Sequence, residues 1–493
     1  MYVGGMALQA STTADGRRWL ALVVLCAGML MIILDQTIVN VALPSIQSDL
    51  GFSPSGLAWV VNAYLIAFGG LLLLAGRLGD LIGRKRILMT GLVVFTGASL
   101  LCGLSWSPEM LIAARFVQGV GGAMSSAVIL GMIVTMFPEP GAQARAIGVY
   151  SFVASAGASI GLLAGGILTQ AVGWHSIFLV NLPIGIVAAL LAAKLLEDDT
   201  GIGFGEGADV VGALLVTAAL MLGVYTIVET SVYGWSSAHT LGFGGLATFL
   251  FAAFIARQTT AANPILPLGM FRSRNVSGAN LVQFLMVAGL LGFFFISALY
   301  LRLVLGLRPL EIGLAFLPVA IAIGALSLGL SARLTTRFGP RAVILPGLML
   351  IVIGLALLAR TPVHSAYPTD LLPAMLLLGV GAGLSFPALM TLAMSGATPA
   401  DSGLASGLLN TTAQVGGALG LAVLATLAAS RTSSLLAGGD GAASALTGGY
   451  HLVFGIGAAL VAAAIGIAVV VLRSDSTTPL EAASSGEERA SAA

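Results

Sequence analysis

Long apolar blocks alternate with short breaks of glycine, proline or clustered charge along this chain. A helix crossing the hydrocarbon core needs about 20 apolar residues. Fourteen stretches meet that requirement: 19–41, 57–76, 87–106, 109–134, 144–170, 174–195, 209–229, 239–257, 277–301, 311–332, 341–360, 370–394, 402–428 and 449–472. The pattern predicts an all-α membrane protein with 14 transmembrane helices. Internal glycine and proline do not argue against these spans, because membrane helices tolerate both.

The blocks repeat at an offset of 255 to 260 residues. Gly51-Phe-Ser-Pro54 echoes Gly306-Leu-Arg-Pro309, and Gly76-Arg-Leu-Gly-Asp-Leu-Ile-Gly83 echoes Ala332-Arg-Leu-Thr-Thr-Arg-Phe-Gly339. Gly119-Val-Gly121 echoes Gly379-Val-Gly381, and Gly148, Gly157 and Gly161 match Gly407, Gly416 and Gly420. The expected plan is a cytoplasmic segment 1–18, a six-helix half 19–195, an inserted helix pair with its linkers 196–275, a second six-helix half 276–472, and a disordered cytoplasmic tail 473–493. Parallel repeats of six helices place a substrate site near the midplane between them. The second copy is degenerate, with Thr336 where the first has Asp80.

Composition supports the membrane reading. The chain is 58% hydrophobic and 8% charged, with mean hydropathy +1.04, whereas soluble domains carry about 25% charged residues. Its 65 glycines suit close helix packing in lipid. Net charge +1 gives no reason to expect nucleic acid as a partner. With the N-terminus inside, sixteen Lys and Arg fall in cytoplasmic segments and four outside. This positive-inside bias predicts that both termini are cytoplasmic. Cys26 and Cys102 lie within spans and are read as packing residues. Residues 1–18 are too polar for a signal-peptide core. Arg outnumbers Lys 19 to 2, which fits a GC-rich bacterial coding bias.

One acid lies deep in a span. Asp35 stands in 19–41, where a charged carboxylate costs roughly 2.5–3.5 kcal/mol even on a lenient scale. Arg115, in 109–134, is the base left over from the loop count. On a rise of 1.5 Å per residue, both fall in the outer half of the bilayer. Burial disfavours the charged carboxylate and a guanidinium favours it, so a group balanced this way can load and lose a proton. The competing reading is a permanent ion pair pinning two helices. Arg115, Gln118, Gly119 and Gly122 share one helix face, with the polar pair expected to face the cavity and the glycines to admit a neighbouring helix. Gly157, Gly161, Gly165 and Gly166 are further expected packing positions.

The segment Gly76, Arg77, Asp80, Gly83, Arg84 is expected to be a cytoplasmic gating loop, with Asp80 accepting from Arg77 or Arg84 or sitting at a helix N-terminus. A plain topology anchor and a lipid-headgroup contact are the alternatives. Asn40, Trp59, Asn62, Tyr64, Gln118, Gln283, Phe293, Tyr300, Asn410 and Gln414 are candidate substrate contacts. Their mix of amide and aromatic groups suits an amphipathic, partly apolar ligand. Glu229 reads as a solvated interfacial acid. Lys85 and Lys194 make no Walker A loop. Gly157-Ala-Ser159-Ile-Gly161 lies inside a span rather than at a nucleophile elbow. His175, His239, His364 and His451 have no zinc-ligand spacing. An enzyme is therefore not expected, nor a metal.

These motifs carry a resemblance. Leu34-Asp35-Gln-Thr-Ile-Val-Asn40-Val-Ala-Leu-Pro44 resembles the first-helix signature of fourteen-span drug:proton antiporters in the major facilitator superfamily. Gly76 to Arg86 resembles the superfamily's cytoplasmic loop motif, Arg115-Phe-Val-Gln118-Gly119 its fourth-helix motif, and Trp174-His-Ser-Ile-Phe-Leu-Val-Asn181-Leu-Pro183-Ile-Gly185 the start of the sixth helix. The resemblance implies export of hydrophobic or cationic drugs from the cytoplasmic membrane in exchange for protons. It implies no cofactor beyond the proton gradient, membrane lipids as surroundings, and action as a monomer. It assigns proton coupling to Asp35 with support from Arg115, and steadying of one conformation to Asp80 and its loop. The chain departs from the pattern at Leu162, where a proline is expected, and at His175, where an Arg is common. Export of an endogenous lipid, pigment, siderophore or antibiotic remains an alternative. A nutrient importer or a non-transporting membrane subunit fits less well.

Overall fold

The computed structural model describes residues 3–472, apart from positions 54, 200, 202, 204–208, 267 and 395–401. The expected tail 473–493 and part of the linker after residue 199 lie outside the described residues. Among those described there are only helices and connections. They are α1 (Val3–Leu50), α2 (Trp59–Ile82), α3 (Arg84–Gly103), α4 (Pro108–Met136), α5 (Pro140–Ala171), the short α6 (Ser176–Leu179) and α7 (Asn181–Leu195). After them come α8 (Val210–Tyr233), α9 (Ala238–Thr260), α10 (Arg274–Leu303), α11 (Pro309–Ala325), α12 (Ser331–Phe338), α13 (Pro340–Leu358), α14 (Leu372–Met394), α15 (Ser402–Ala437) and α16 (Ala442–Val471).

Local chemistry sets several boundaries. Ser107 caps α4 by accepting from the Met110 N–H, with Pro108 in the first turn. Ser237 and Ser273 cap α9 and α10 in the same way. Gly83 (φ 106°) and Gly339 (φ 82°) are one-residue joints between α2 and α3 and between α12 and α13. The Gly76–Arg86 motif is thus almost wholly helical, with Gly83 as its only break. A φ in this region suits glycine and strains other residues.

Twelve helices among the described residues are long and apolar enough to cross a membrane. Two predicted spans are not among the twelve. The span 144–170 falls on α5, whose described apolar stretch is Ile160–Ala171. The span 311–332 is divided between α11, a π-turn at Leu326–Leu330, and α12. Residues 431–449 are not the flexible external loop that their Gly/Ala/Ser content suggests. α15 continues to Ala437 and α16 starts at Ala442, because alanine, leucine and serine propagate helix well enough until Gly438-Gly-Asp-Gly441 interrupts.

Packing follows the sequence repeat. α1 lies on α5 and α10 on α15; α3 lies on α4 and α13 on α14; α2 lies on α4 and α11 on α14. The first set, α1–α7, meets the second, α10–α16, mainly where α5 packs on α11 and α2 on α15. α8 pairs with α9 and rests against both α2 and α15. Asp209 ties this pair together. It caps α8 through the Gly212 N–H (2.9 Å) and accepts from Arg257 (3.0 Å) and Gln258 (2.8 Å) at the end of α9. Burial pushes the Asp209 carboxyl up, and these donors more than offset it, holding it below the usual carboxylate range.

Glycines make the closest crossings. A Cβ at Gly121 would lie 2.8 Å from the Phe95 Cα of α3, and one at Gly381 would lie 2.7 Å from the Ile351 Cγ1 of α13. Gly121→Ala and Gly381→Ala are each expected to lower stability by about 1–3 kcal/mol through overpacking. Gly97→Ala, with nothing within 4 Å of the added carbon, should be neutral or slightly stabilising. Unfolding midpoints of the three variants in detergent provide the check.

Candidate functional site

Asp35 and Arg115 meet. Their side chains are 0% and 1% exposed, and Arg115 Nη1 donates to Asp35 Oδ2 at 2.6 Å. α1 supplies the acid and α4 the base. Gln118, one turn beyond Arg115, accepts from Arg115 Nη1 through Oε1 (2.7 Å) and donates from Nε2 to Asp35 Oδ1 (2.8 Å) and Ser99 Oγ (2.7 Å). Asn181, the first residue of α7, donates from Nδ2 to Asp35 Oδ1 (3.0 Å) and Ser99 Oγ (3.4 Å). Arg115 Nε donates to the Val60 carbonyl of α2 (2.9 Å). Its guanidinium carbon lies 4.4 Å from the Tyr64 ring centroid and 5.6 Å from that of Phe178. An ion pair out of water is tolerated only when its remaining lone pairs and protons also find partners, and this shell supplies them to both Asp35 oxygens and to Arg115 Nε and Nη1.

The orientation differs from the expected one in one respect. Gly119 and Gly122 do admit α2, at Ala67 and at Tyr64 and Phe68. The polar pair on the same helix, however, points into the first set rather than toward a cavity shared with the second. Among the described residues no side chain of α10–α16 hydrogen-bonds to Asp35, Arg115 or Gln118. The i, i+3 spacing places Arg115 and Gln118 over α1 and α3.

The second set repeats the frame without the charges. The α3–α4 contacts of Gly91 with Ser125 and of Gly121 with Phe95 recur as Gly347 with Ser385 and Gly381 with Ile351. Gly157 and Gly161 on Leu30 and Leu34 recur as Gly416 and Gly420 on Phe284 and Ala288. In those registers Asp35 corresponds to Gly289, Ser99 to Leu355, Arg115 to Met375 and Gln118 to Leu378. All four are buried and none carries a polar side chain.

The candidate substrate contacts are spread out. Asn40 is 6% exposed and donates back to the Gln36 carbonyl of its own helix (3.2 Å), leaving Oδ1 without a partner. Trp59 is buried at the start of α2. Asn62 is fully buried and neither of its polar atoms has a partner. Tyr64 belongs to the ion-pair shell, and its hydroxyl accepts from Gln36 (3.4 Å). Gln283 is buried with Oε1 unpartnered. Phe293 packs edge-on against Phe316. The Tyr300 hydroxyl bonds the Pro362 carbonyl (2.9 Å) and Ser365 (2.7 Å). Asn410 is exposed and Gln414 partly so, the latter beside Gly69 of α2. The structure therefore gathers Asp35, Tyr64, Arg115 and Gln118, and does not join the rest to them.

The packing glycines do what their spacing suggests. Gly157 and Gly161 lie on α1, Gly165 faces the Ile38 carbonyl of α1, Gly119 lies on α2, and Gly166 faces Pro309 and Leu310 of α11 across the seam between the two sets. Glu229 sits in α8 near Tyr225, His239 and Tyr233, outside the ion-pair shell.

At the α2–α3 joint, Arg84 bonds Asp80 (3.1 Å) and the Gly131 carbonyl of α4 (3.2 Å). The N-terminus of α3 is taken by Asp199, not by Asp80. Asp199 accepts from the backbone N–H groups of Arg84 (2.6 Å) and Lys85 (3.1 Å). Lys85 in turn bonds Asp198 (2.8 Å) and the Leu196 carbonyl (2.7 Å), and holds the exposed Asp198 carboxyl below its usual range. Arg77 and Gly76 lie in the last turns of α2. A cleft of about 780 Å³ opens beside this joint, lined in part by Arg17, Arg18, Arg84, Thr135, Asp198 and Asp199.

Sequence reading missed Ser99, Asn181, Asp198 and Asp199. The acidic run Glu197-Asp-Asp199 facing the basic run Arg84-Lys-Arg86 was the available signal for the last two. Asn181 was visible within the sixth-helix motif without a role attached to it, and Ser99 only as a polar residue in an apolar span.

Comparison with known proteins adds the following. The family model described as Major Facilitator Superfamily matches residues 25–421. The chain is 38% identical over 480 residues to the puromycin resistance protein pur8 of Streptomyces alboniger, covering 95% of each. It is 38% identical over 435 residues to the cephamycin export protein CmcT of Amycolatopsis lactamdurans, covering 87% of this chain and 89% of that one. A solved bacterial homologue of the human lysosomal transporter Spinster shares the fold, with TM-score 0.67, 17% identity, and coverage of 92% of this chain and 97% of that one.

Two outcomes follow from the geometry. Arg115→Leu leaves a buried carboxylate without its counter-charge and should cost about 3–5 kcal/mol. Asp35→Asn should cost less, because Arg115 keeps Gln118, the Val60 carbonyl and the Tyr64 ring. Thermal melting of both variants tests this ordering. Asp199→Ala removes the α3 cap, a loss of about 0.5–2 kcal/mol, and should speed hydrogen exchange at the Arg84 and Lys85 amides.

Proposed function

The chain belongs to the Major Facilitator Superfamily, and from that premise we propose that it exports hydrophobic or cationic drug-like compounds across the cytoplasmic membrane in exchange for protons. The names of its relatives, puromycin resistance and cephamycin export, support the substrate class. The second of these favours one variant reading, in which the cargo is an antibiotic made by the producing cell itself.

The observation that carries the coupling role is the sealed Asp35–Arg115 pair. At an effective dielectric of 20, unit charges 4 Å apart interact by about 4 kcal/mol. Protonating Asp35 forfeits attraction of this order, so it needs either a strong driving force or a change in surroundings. The shell is built to survive that event. With Asp35 neutral, Arg115 still has the Val60 carbonyl, Gln118 Oε1 and two aromatic faces. The guanidinium is thereby held by the same neighbours in both charge states of the carboxylate, which a permanent structural pin would not need.

In this reading the protein has fourteen spans, with α5 and the α11–α12 unit completing the count. The first and second sets act as halves that rock about the α5–α11 and α2–α15 contacts, and the inserted pair covers the α2–α15 seam. Substrate occupies the space between halves when they part, where Asn40, Asn62 and Gln283, now buried with unpartnered polar atoms, would find partners. The Asp80–Arg84 joint steadies one conformation. Both termini face the cytoplasm, the protein acts as a monomer in the lipid, and the proton gradient is its only energy source.

The test is gradient-driven movement of a lipophilic cation and of a neutral antibiotic in proteoliposomes. Wild-type protein should concentrate the compound only while the gradient lasts, and Asp35→Asn should lose at least tenfold of that flux, the effect of about 1.4 kcal/mol or more. Full gradient-driven flux in Asp35→Asn sinks the coupling assignment.

A further inference from the structure

Every polar neighbour of the Asp35 carboxylate in this structure is a donor. Arg115 Nη1 donates to Oδ2, while Gln118 Nε2 and Asn181 Nδ2 donate to Oδ1. The shell is therefore set for the ionised acid. A protonated carboxyl must donate one hydrogen bond, and the shell has to supply an acceptor. Gln118 Oε1 is taken by Arg115 Nη1 (2.7 Å) and approached by Cys102 Sγ (3.6 Å). The Val60 carbonyl receives Arg115 Nε, and Ser99 Oγ receives both Gln118 and Asn181. One oxygen is spare. Asn181 Oδ1 is buried, in a residue 0% exposed, and bonds to nothing.

The present orientation of the Asn181 amide is fixed by its two acceptors, Asp35 Oδ1 and Ser99 Oγ. Turning it over about its last side-chain bond exchanges nitrogen for oxygen at the same place and presents Oδ1 to Asp35 Oδ1. Gln118 has no such freedom. Turning it over would set its nitrogen against Arg115 Nη1, donor against donor.

We propose that Asn181 is a positioning residue that reads the protonation state of Asp35 by turning over its amide, donating to the carboxylate and accepting from the carboxylic acid. The proton comes to rest on Oδ1, because Oδ2 faces a guanidinium that cannot accept. The titratable groups around Asp35 are Tyr64 on α2, Cys102 on α3 and Arg115 on α4; none of them offers a free acceptor oxygen on the Oδ1 side. Asn181 opens α7 directly after α6, which carries Phe178 over Arg115. This inference rests on the coupling role of Asp35.

The experiment is pH-difference infrared spectroscopy of the purified protein in lipid membranes, with and without carbon-13 labelling of asparagine side chains. Acidification should raise a carboxylic-acid band that is missing in Asp35→Asn, together with an asparagine amide band that is missing in Asn181→Val. Gradient-driven flux should fall about tenfold in Asn181→Val. It should be largely kept in Asn181→Thr, whose hydroxyl can donate or accept without turning over. An Asp35 band with no accompanying asparagine band, or the same asparagine band in Asn181→Val, overturns the role of Asn181 and leaves the coupling role standing. A carboxylic-acid band unchanged in Asp35→Asn overturns both. If Asn181→Val fails to fold, the labelled wild-type spectra decide alone.

Discussion

The desolvated Asp35–Arg115 pair is the constraint around which the first helix set is arranged. An acid in the middle of a span is expensive, and a single base beside it does not remove the cost. α4 therefore brings Gln118 one turn from Arg115, α3 brings Ser99, α7 begins with Asn181, and α2 offers a carbonyl and a tyrosine face. These contacts require the five elements to meet at one depth. Close approach at that depth is what the α3–α4 glycines and the Gly119 contact on α2 provide. Charge and packing are two sides of one requirement here.

The second helix set shows what the same frame looks like when that requirement is absent. Its glycine crossings are retained, and Ser385 keeps the place of Ser125. The positions matching the ion pair hold Gly289, Met375, Leu378 and Leu355, and Gly289 lies against Gly457 rather than against a polar side chain. A duplicated fold thus needs its small residues in both copies and its buried charge in one. The coupling role proposed for Asp35 is best served by one low-dielectric site. A second buried pair would add its own desolvation cost and a competing place for the proton to rest.

Much of this was legible in the sequence, and the unread part has a common cause. Asp35 and Arg115 are conspicuous because charge in an apolar run has few explanations, and the glycines because their spacing follows the helical repeat. Helical period gives relative direction on one helix and says nothing about which neighbour lies there. For that reason Arg115 and Gln118 could be placed on one face, while their turning inward, away from the second set, could not be read. Asn181 and Ser99 are neutral, and a neutral amide or hydroxyl in a span has many uses. Asp199 caps a helix more than a hundred residues away in sequence, a pairing that only the fold creates. The run 431–449 looked like loop because glycine, alanine and serine dominate its composition, whereas its breaks are confined to four residues.

Two helices, α4 and α7, run from the buried pair to the α2–α3 joint. On α4, Arg115 lies sixteen residues before Gly131, about 24 Å along the axis, and Gly131 accepts from Arg84. On α7, Asn181 touches Asp35 at one end, and just past the other end Leu196, Asp198 and Asp199 hold Lys85 and the start of α3. Helices of this length move nearly as rods, so a displacement of either one at the buried pair is felt at the joint. Energy also has to match between the two ends for such a link to be useful. A charge crossing 100 mV releases about 2.3 kcal/mol. That is comparable to the strength of one desolvated pair and larger than the worth of one helix cap. A charge moved across such a potential is thus matched in energy to the α3 cap and its exposed Lys85–Asp198 contact.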